Sequence, residues 1–155
     1  MIEVAAPPTE ADVRAVLASV PDPELPVVSI VDLGIVDRVE VRDGRIAVDL
    51  LPTFIGCPAL DALEAAVTER LAGFGLPAEV AFTRRVPWTS DRISEGGRDR
   101  LADVGIAPPA DPSDVRCPWC ESARVVMDSV FGPTQCRSLF YCRDCRQPFE
   151  ALRPV

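Results

Sequence analysis

The chain has 155 residues and a formal charge of −8, with no histidine, lysine or asparagine, so arginine supplies all 16 basic side chains. Without those residues there is no Ser-His or Cys-His dyad, no lysine Schiff base, no P-loop lysine and no histidine-ligated metal. The acidity argues against nucleic acid as a partner, because duplex affinity rests on clustered Lys and Arg. No apolar run approaches the roughly 18 residues that span a bilayer, so no membrane partner is expected. The six cysteines are expected in a reducing cytoplasm, where metal or thiol chemistry is commoner than disulfides. A chain of this length buries one ordinary core with an appendage to spare.

Residues 9–20 open on a threonine N-cap and carry Val13, Val16, Leu17 and Val20 on one helical face, which predicts an amphipathic helix. Pro21, Pro23 and Pro26 then exclude helix and hold Asp22 and Glu24 on a stiff loop. Those carboxylates either face a metal or partner, or belong to a solvated acidic loop. After the β-branched residues 27–31 and Asp32-Leu33-Gly34, residues 35–41 and 45–51 read as two strands. Asp43-Gly44 between them is a strong hairpin signal. Ile46, Val48 and Leu50 share an inner face with Val39 and Val41, while Arg38, Glu40 and Arg42 turn to water.

The strand pattern breaks at Cys57. Pro58 suits the first position of a helix, which makes Cys57 the expected N-cap and favours its thiolate at the positive helix end. The same cysteine also fits a small buried apolar position. Leu60, Leu63, Val67, Leu71 and Phe74 recur at helical spacing, with an end near Gly73 or Gly75. Residues 79–83 predict a third strand, entered by a right-handed crossover. The expected fold is α+β, a small α-β-β-α-β two-layer domain with both helices on one sheet face, followed by a C-terminal zinc ribbon. Trp88 fits either a core aromatic or a cover over a site. Ser90 caps a helical turn, Gly96 and Gly97 interrupt the helix, and residues 98–104 resume it with Leu101 and Val104 inward.

The proline-rich segment 107–114 predicts a stiff linker between a domain at 1–106 and a ribbon at 115–155. Residues 1–108 hold 18 acidic and 10 basic side chains against six of each in residues 109–155, so the acidity belongs to the first domain. Cys117, Cys120, Cys142 and Cys145 form two C-x2-C pairs, able to fill a tetrahedral shell and leave no open position for catalysis. One structural zinc per chain is the first expectation, with rubredoxin-like iron or an iron–sulfur cluster as alternatives. Glu121 and Arg146 stand where such knuckles commonly carry glycine. Cys136 is left over as a spare ligand, a second thiol or packing, and packing is preferred.

Asp22-Pro23-Glu24-Leu25-Pro26, Asp32-Leu33-Gly34-Ile35-Val36, Thr53 with Gly56-Cys57-Pro58-Ala59, and Pro87-Trp88-Thr89 occur in that order ahead of Cys117-Pro118-Trp119-Cys120 and the segment 142–150. In these motifs the chain resembles the D-subunit family (PaaD, also PaaJ) of the bacterial phenylacetyl-CoA epoxidase system. Its first domain also resembles SufT-type iron–sulfur assembly proteins. Pro133 and Arg137 depart from the family's usual serine and lysine. The resemblance implies a role in aerobic phenylacetate breakdown, with a di-iron oxygenase and a flavin and 2Fe–2S reductase as partners. By the same resemblance, Cys57 is the functional thiol. The chain itself lacks a Glu-x-x-His pattern and a dinucleotide fingerprint and is not expected to be the catalyst. The expectation is an accessory protein that matures or inserts the oxygenase or reductase cofactor through Cys57, holding iron or a cluster transiently. Asp22, Glu24 and Asp32 are its candidate neighbours, and a homo-oligomer stays open. A structural component of the epoxidase complex is the alternative; a thiol-dependent redox protein ranks below both, having no histidine base.

Overall fold

The computed structural model describes residues 6–155. Helix α1 is Glu10–Leu17, and Thr9 caps it reciprocally: the Asp12 N–H donates to the Thr9 hydroxyl at 3.2 Å, and the Thr9 N–H to the Asp12 carboxylate at 2.8 Å. It stops a turn short of Val20, because the residue before a proline is driven out of the α region. Strands β1 (Val36–Arg42) and β2 (Arg45–Leu50) form the hairpin, with Arg42 opposite Arg45. Asp43 and Gly44 between them have φ of 52° and 70°, the two left-handed residues that a tight hairpin with the native twist requires.

Helix α2 (Leu60–Leu71) runs from this hairpin toward β3 (Ala78–Phe82), which lies parallel to β2 in the order β1-β2-β3. A short 3-10 turn extends α2, and left-handed Gly75 ends it, as the glycines there predicted. Val13 and Leu17 of α1 and Leu63, Val67 and Leu71 of α2 share one core with Val39, Ile46, Val48 and Leu50. Helix α3 (Glu95–Asp103) corrects two expectations: Val104, its C-cap, is exposed while Leu101 is buried, and Gly96 and Gly97 do not interrupt it. They occupy its first turn, and the Gly97 N–H donates to the capping hydroxyl of Ser94 at 3.0 Å.

The second sheet contains β4 (Ile106–Ala107), β5 (Val125–Ser129), β6 (Arg137–Cys142) and β7 (Pro148–Leu152), in the order β4-β7-β6-β5. Its own core is small, built around Phe140 and Phe149 with ring centroids 5.6 Å apart. Ala107, read from sequence as the start of a linker, is instead buried and paired with Ala151. Leu152 at the end of β7 is buried in the first domain's core, and Cys136 packs against that core as well. Gly105, at φ +81°, lies under the Trp119 indole, where a Cβ would come within 2.1 Å of the ring.

Because Leu152 closes a core it does not belong to by sequence, Leu152→Ala should destabilise the whole chain by about 2–4 kcal/mol. Urea unfolding measures this. A loss under about 0.5 kcal/mol, the range of a surface change, would mean that the ribbon does not seal the first domain.

Candidate functional site

Cys117 and Cys120 lie on one knuckle of the second sheet; Cys142 ends β6 and Cys145 sits in the turn before β7. All four sulfurs lie within 4.8 Å of one another, with Cys117–Cys145 and Cys120–Cys142 both at 3.6 Å. A tetrahedral ion with metal–sulfur bonds of about 2.3 Å holds its sulfurs about 3.8 Å apart, so the cage fits one ion. Backbone N–H groups of Trp119 and Cys120 aim at Cys117, and those of Cys145 and Asp144 at Cys142. Glu121 and Arg146 each adopt φ 60° immediately after a cysteine pair. The knuckles thus keep their left-handed turn without glycine, at a cost of about 1–2 kcal/mol for each residue. Burial and the neighbouring cysteines push Cys145 up to about 12. At Cys142 burial also opposes ionisation, yet the N–H groups of Cys145 and Asp144 draw the thiol down to about 7. Four crowded thiols cannot all ionise unless a cation neutralises them.

Cys57 lies in the first domain and faces the turn at residues 131–136 of the ribbon across a cavity. Residues 53–59 make two tight turns after β2; the Cys57 N–H donates to the Phe54 carbonyl at 3.3 Å, and its own carbonyl accepts from Leu60 at 3.4 Å. These turns carry the chain two residues further before α2 begins, so Ala59, with φ −81° and ψ −8°, is the N-cap. Cys57 is therefore not the cap, nor is Pro58 the first helical residue. The sulfur still accepts the Ala59 N–H, but burial raises the Cys57 pKa, and the charges of Glu24, Asp22 and Cys136 raise it further. The resting group is a thiol, opposite to the thiolate that a helix-capping position would favour.

Those neighbours surround a cavity of about 290 Å³. Cys57 and Thr53 line it from the β2–α2 junction, Asp22 and Glu24 from the proline loop, and residues 131–136 with Arg153 from the ribbon. Trp88, 7% exposed, fills both roles its position suggests: its indole N–H donates to the Leu33 carbonyl at 2.8 Å, and its ring walls the cavity. Asp22 Oδ1 accepts the N–H groups of Glu24 and Leu25, each at 2.9 Å. Burial raises the Asp22 pKa against those bonds and against Arg137. Arg137 donates to the Glu24 carbonyl at 3.1 Å and to Glu150 at 2.6 Å, clamping the acidic loop to the ribbon.

Asp32 does not join this group. Its carboxylate accepts from the hydroxyls of Ser29 at 3.1 Å and Ser94 at 2.8 Å, and pairs with Arg100. Against burial, the Ser94 and Ser29 hydroxyls and Arg100 hold its pKa below the ordinary carboxylate value. Asp32 fastens α3 to the turn at residues 29–34. Cys136 does join the group, half-buried on the cavity wall with its sulfur 3.1 Å from the Thr134 hydroxyl. Packing accounts for part of its environment, but no spacing rule places it in one cavity with Cys57, because docking of the ribbon brings it there.

A family model described as an iron-sulfur cluster assembly protein matches residues 10–81, and one described as the PaaD zinc beta ribbon domain matches residues 103–153. Fold and site together define an iron–sulfur-assembly-type α+β domain joined to a four-cysteine metal ribbon. A domain of unknown function from Bacillus anthracis has a similar fold, with a TM-score of 0.56 and 30% identity over 59% of this chain and 90% of that one. A conserved hypothetical protein from Thermotoga maritima is also similar, with a TM-score of 0.50 and 26% identity over 61% of this chain and 94% of that one. Over the full length, the Escherichia coli strain K12 protein named as the D-subunit of 1,2-phenylacetyl-CoA epoxidase is 38% identical, covering 97% of this chain and 96% of its own. The chain belongs to this epoxidase D-subunit family, PaaD.

Two measurements check the site. Acidification from about pH 8 to about pH 5 should release the ribbon metal as protons recapture the thiolates, and Glu121→Gly or Arg146→Gly should stabilise the loaded ribbon by up to about 1 kcal/mol. At the cavity, peptide-resolved alkylation of Cys57 should be slow at neutral pH and rise only above the ordinary thiol value of 9.0. Asp22→Asn removes a neighbouring negative charge and should speed the reaction severalfold, roughly. Rapid alkylation of Cys57 at neutral pH would contradict the buried-thiol description.

Proposed function

We propose that the chain is an accessory component of a cytoplasmic phenylacetyl-CoA epoxidase system and acts before catalysis, maturing the iron-containing cofactors of the oxygenase or reductase components through Cys57. One observation carries the reading: a half-buried thiol of the domain that matches the iron-sulfur cluster assembly model shares a cavity with two carboxylates, within a chain 38% identical to an epoxidase D-subunit. The chemistry supports a ligand more than a nucleophile. A thiol whose pKa is raised is a poor redox or attacking group, whereas an arriving metal ion displaces the proton and gains a soft ligand. The ribbon ion in this reading is zinc, which fills its shell with four thiolates and acts as a staple for a segment too small to hold itself together. A second reading, a standing structural component of the complex, is supported by edge strand β5 and the loop after it, where Val126, Met127, Val130 and Phe131 are exposed.

The discriminating experiment produces oxygenase and reductase with this chain, separates them from it, and compares them with components produced alone. A maturation factor leaves behind active, metal-loaded components, and its absence leaves them cofactor-poor. Components that load fully without the chain and need only its addition for turnover would establish the structural reading instead. Cys57→Ser should leave the melting temperature within a few degrees, roughly the effect of a sub-kilocalorie change, while abolishing maturation. Full maturation by the serine variant would reduce Cys57 to a packing residue.

A further inference from the structure

Four of the six cysteines are accounted for by the ribbon cage. The remaining two, Cys57 and Cys136, come from different domains, are both half-buried, and line the same cavity close enough for their charges to interact. Cys136 is not loosely placed. Its carbonyl accepts the Arg153 N–H at 2.8 Å, the Arg137 N–H returns to the Thr134 carbonyl at 3.2 Å, and the Gly132 N–H donates to the Arg137 carbonyl at 2.8 Å. This turn presents the Cys136 sulfur toward the cavity instead of into the small core of the second sheet.

The residues lining this space that can offer an anionic ligand are Cys57, Cys136, Asp22 and Glu24. One oxygen of Asp22 is occupied by backbone N–H groups; the other accepts no hydrogen bond among the described residues. The nearby arginines are already engaged. Arg137 holds Glu150 and the Glu24 carbonyl, while Arg153 donates to the Gln135 carbonyl at 3.0 Å and lies 5.5 Å from the centre of the Phe131 ring. Thiolates would therefore form beside two carboxylates, with the Arg137 guanidinium shared with Glu150, so loss of two thiol protons concentrates negative charge in the cavity. A bound divalent ion offsets that charge.

We infer that Cys136 is a second functional thiol, and that Cys57 and Cys136, with Asp22 and Glu24, form a ferrous-iron site completed only when the ribbon docks on the first domain. A mixed sulfur and oxygen donor set suits a borderline divalent ion better than the all-oxygen shells of magnesium or calcium. The choice of iron rests on the maturation reading above. Binding is an exchange without oxidation: one Fe²⁺ enters, two S–H protons leave to solvent, and two Fe–S bonds form. Among the described residues only the ribbon cysteines are drawn together as a ready-made metal group. The Cys57 set lines its cavity more loosely, so it is the weaker of the two sites and the one expected to exchange its ion.

The test uses the full chain with its ribbon metal in place, held anaerobically and titrated with Fe²⁺, with Co²⁺ as a spectroscopic stand-in. About one further ion per chain should bind, and the Co²⁺ form should show thiolate-to-metal charge-transfer absorption. Cys57→Ser and Cys136→Ser should each lower affinity by about tenfold or more and remove about half of that absorption, since each leaves one sulfur. Cys136→Ala, checked by melting and ribbon metal content, separates ligand loss from unfolding. A Cys136 variant that binds as the parent does would overturn the inference and leave the maturation reading standing. Maturation that needs Cys57 with no second ion bound would also overturn it, and would make Cys57 a protein contact. Binding that requires both thiols, alongside components that load without this chain, would support the site and defeat the maturation reading.

Discussion

The guanidinium of Arg137 holds both halves of the molecule at once. One terminal nitrogen reaches Glu150 within the ribbon, the other reaches the Glu24 carbonyl on the proline loop, and Nε reaches the Thr134 hydroxyl. A planar fork can serve three acceptors in fixed directions, which the single ammonium of a lysine does less well. Cys136 lies one residue away and Asp22 two residues before Glu24, so this clamp sets the spacing between the cavity's ribbon wall and its acidic wall. Leu152 in the first core and Trp119 over Gly105 reinforce the same docking with apolar contact.

From that clamp follows an order of dependence. The ribbon's own core is small, so its sheet relies on the metal at the far end of β6 and β7. The sheet in turn carries the turn at residues 131–136 and the end of β7, both of which wall the thiol cavity. The ribbon metal site therefore lies away from the cavity and still governs the surroundings of Cys57. Left-handed Glu121 and Arg146 fit this picture, because backbone strain of that kind persists only where surrounding bonds over-determine it. Here the bonds to the ion and the N–H groups aimed at sulfur supply that restraint.

The electrostatics of the two cysteine groups are opposed in a useful way. In the ribbon, backbone N–H groups converge on the sulfurs and prepare them to accept a permanent ion. Around Cys57, one N–H from Ala59 is set against burial and two carboxylates, so the thiol keeps its proton until something displaces it. A permanently ionised, exposed thiolate would invite oxidation. A protonated thiol beside carboxylates can instead exchange its proton for an incoming cation.

The amino-acid sequence by itself determined those features whose physics is short-ranged. The Thr9 cap, the Asp43-Gly44 hairpin, the helical period from Leu60 to Leu71 and the two C-x2-C pairs each depend on a few neighbouring residues, and each is present. The Cys57 junction escapes a local reading because Pro58 would fit a helix start just as well, and only the packing of residues 53–59 selects the later start at Leu60. Asp22, Glu24 and Asp32 are indistinguishable as acidic loop residues. Tertiary structure separates them, turning the first two toward Cys57 and binding the third to Ser94 and Arg100. That Cys136 and Cys57 line one cavity is invisible in the sequence for the same reason, since no local pattern encodes how a metal-stapled sheet docks on a distant loop: that is decided by Leu152 finding an apolar core and Arg137 finding a backbone carbonyl.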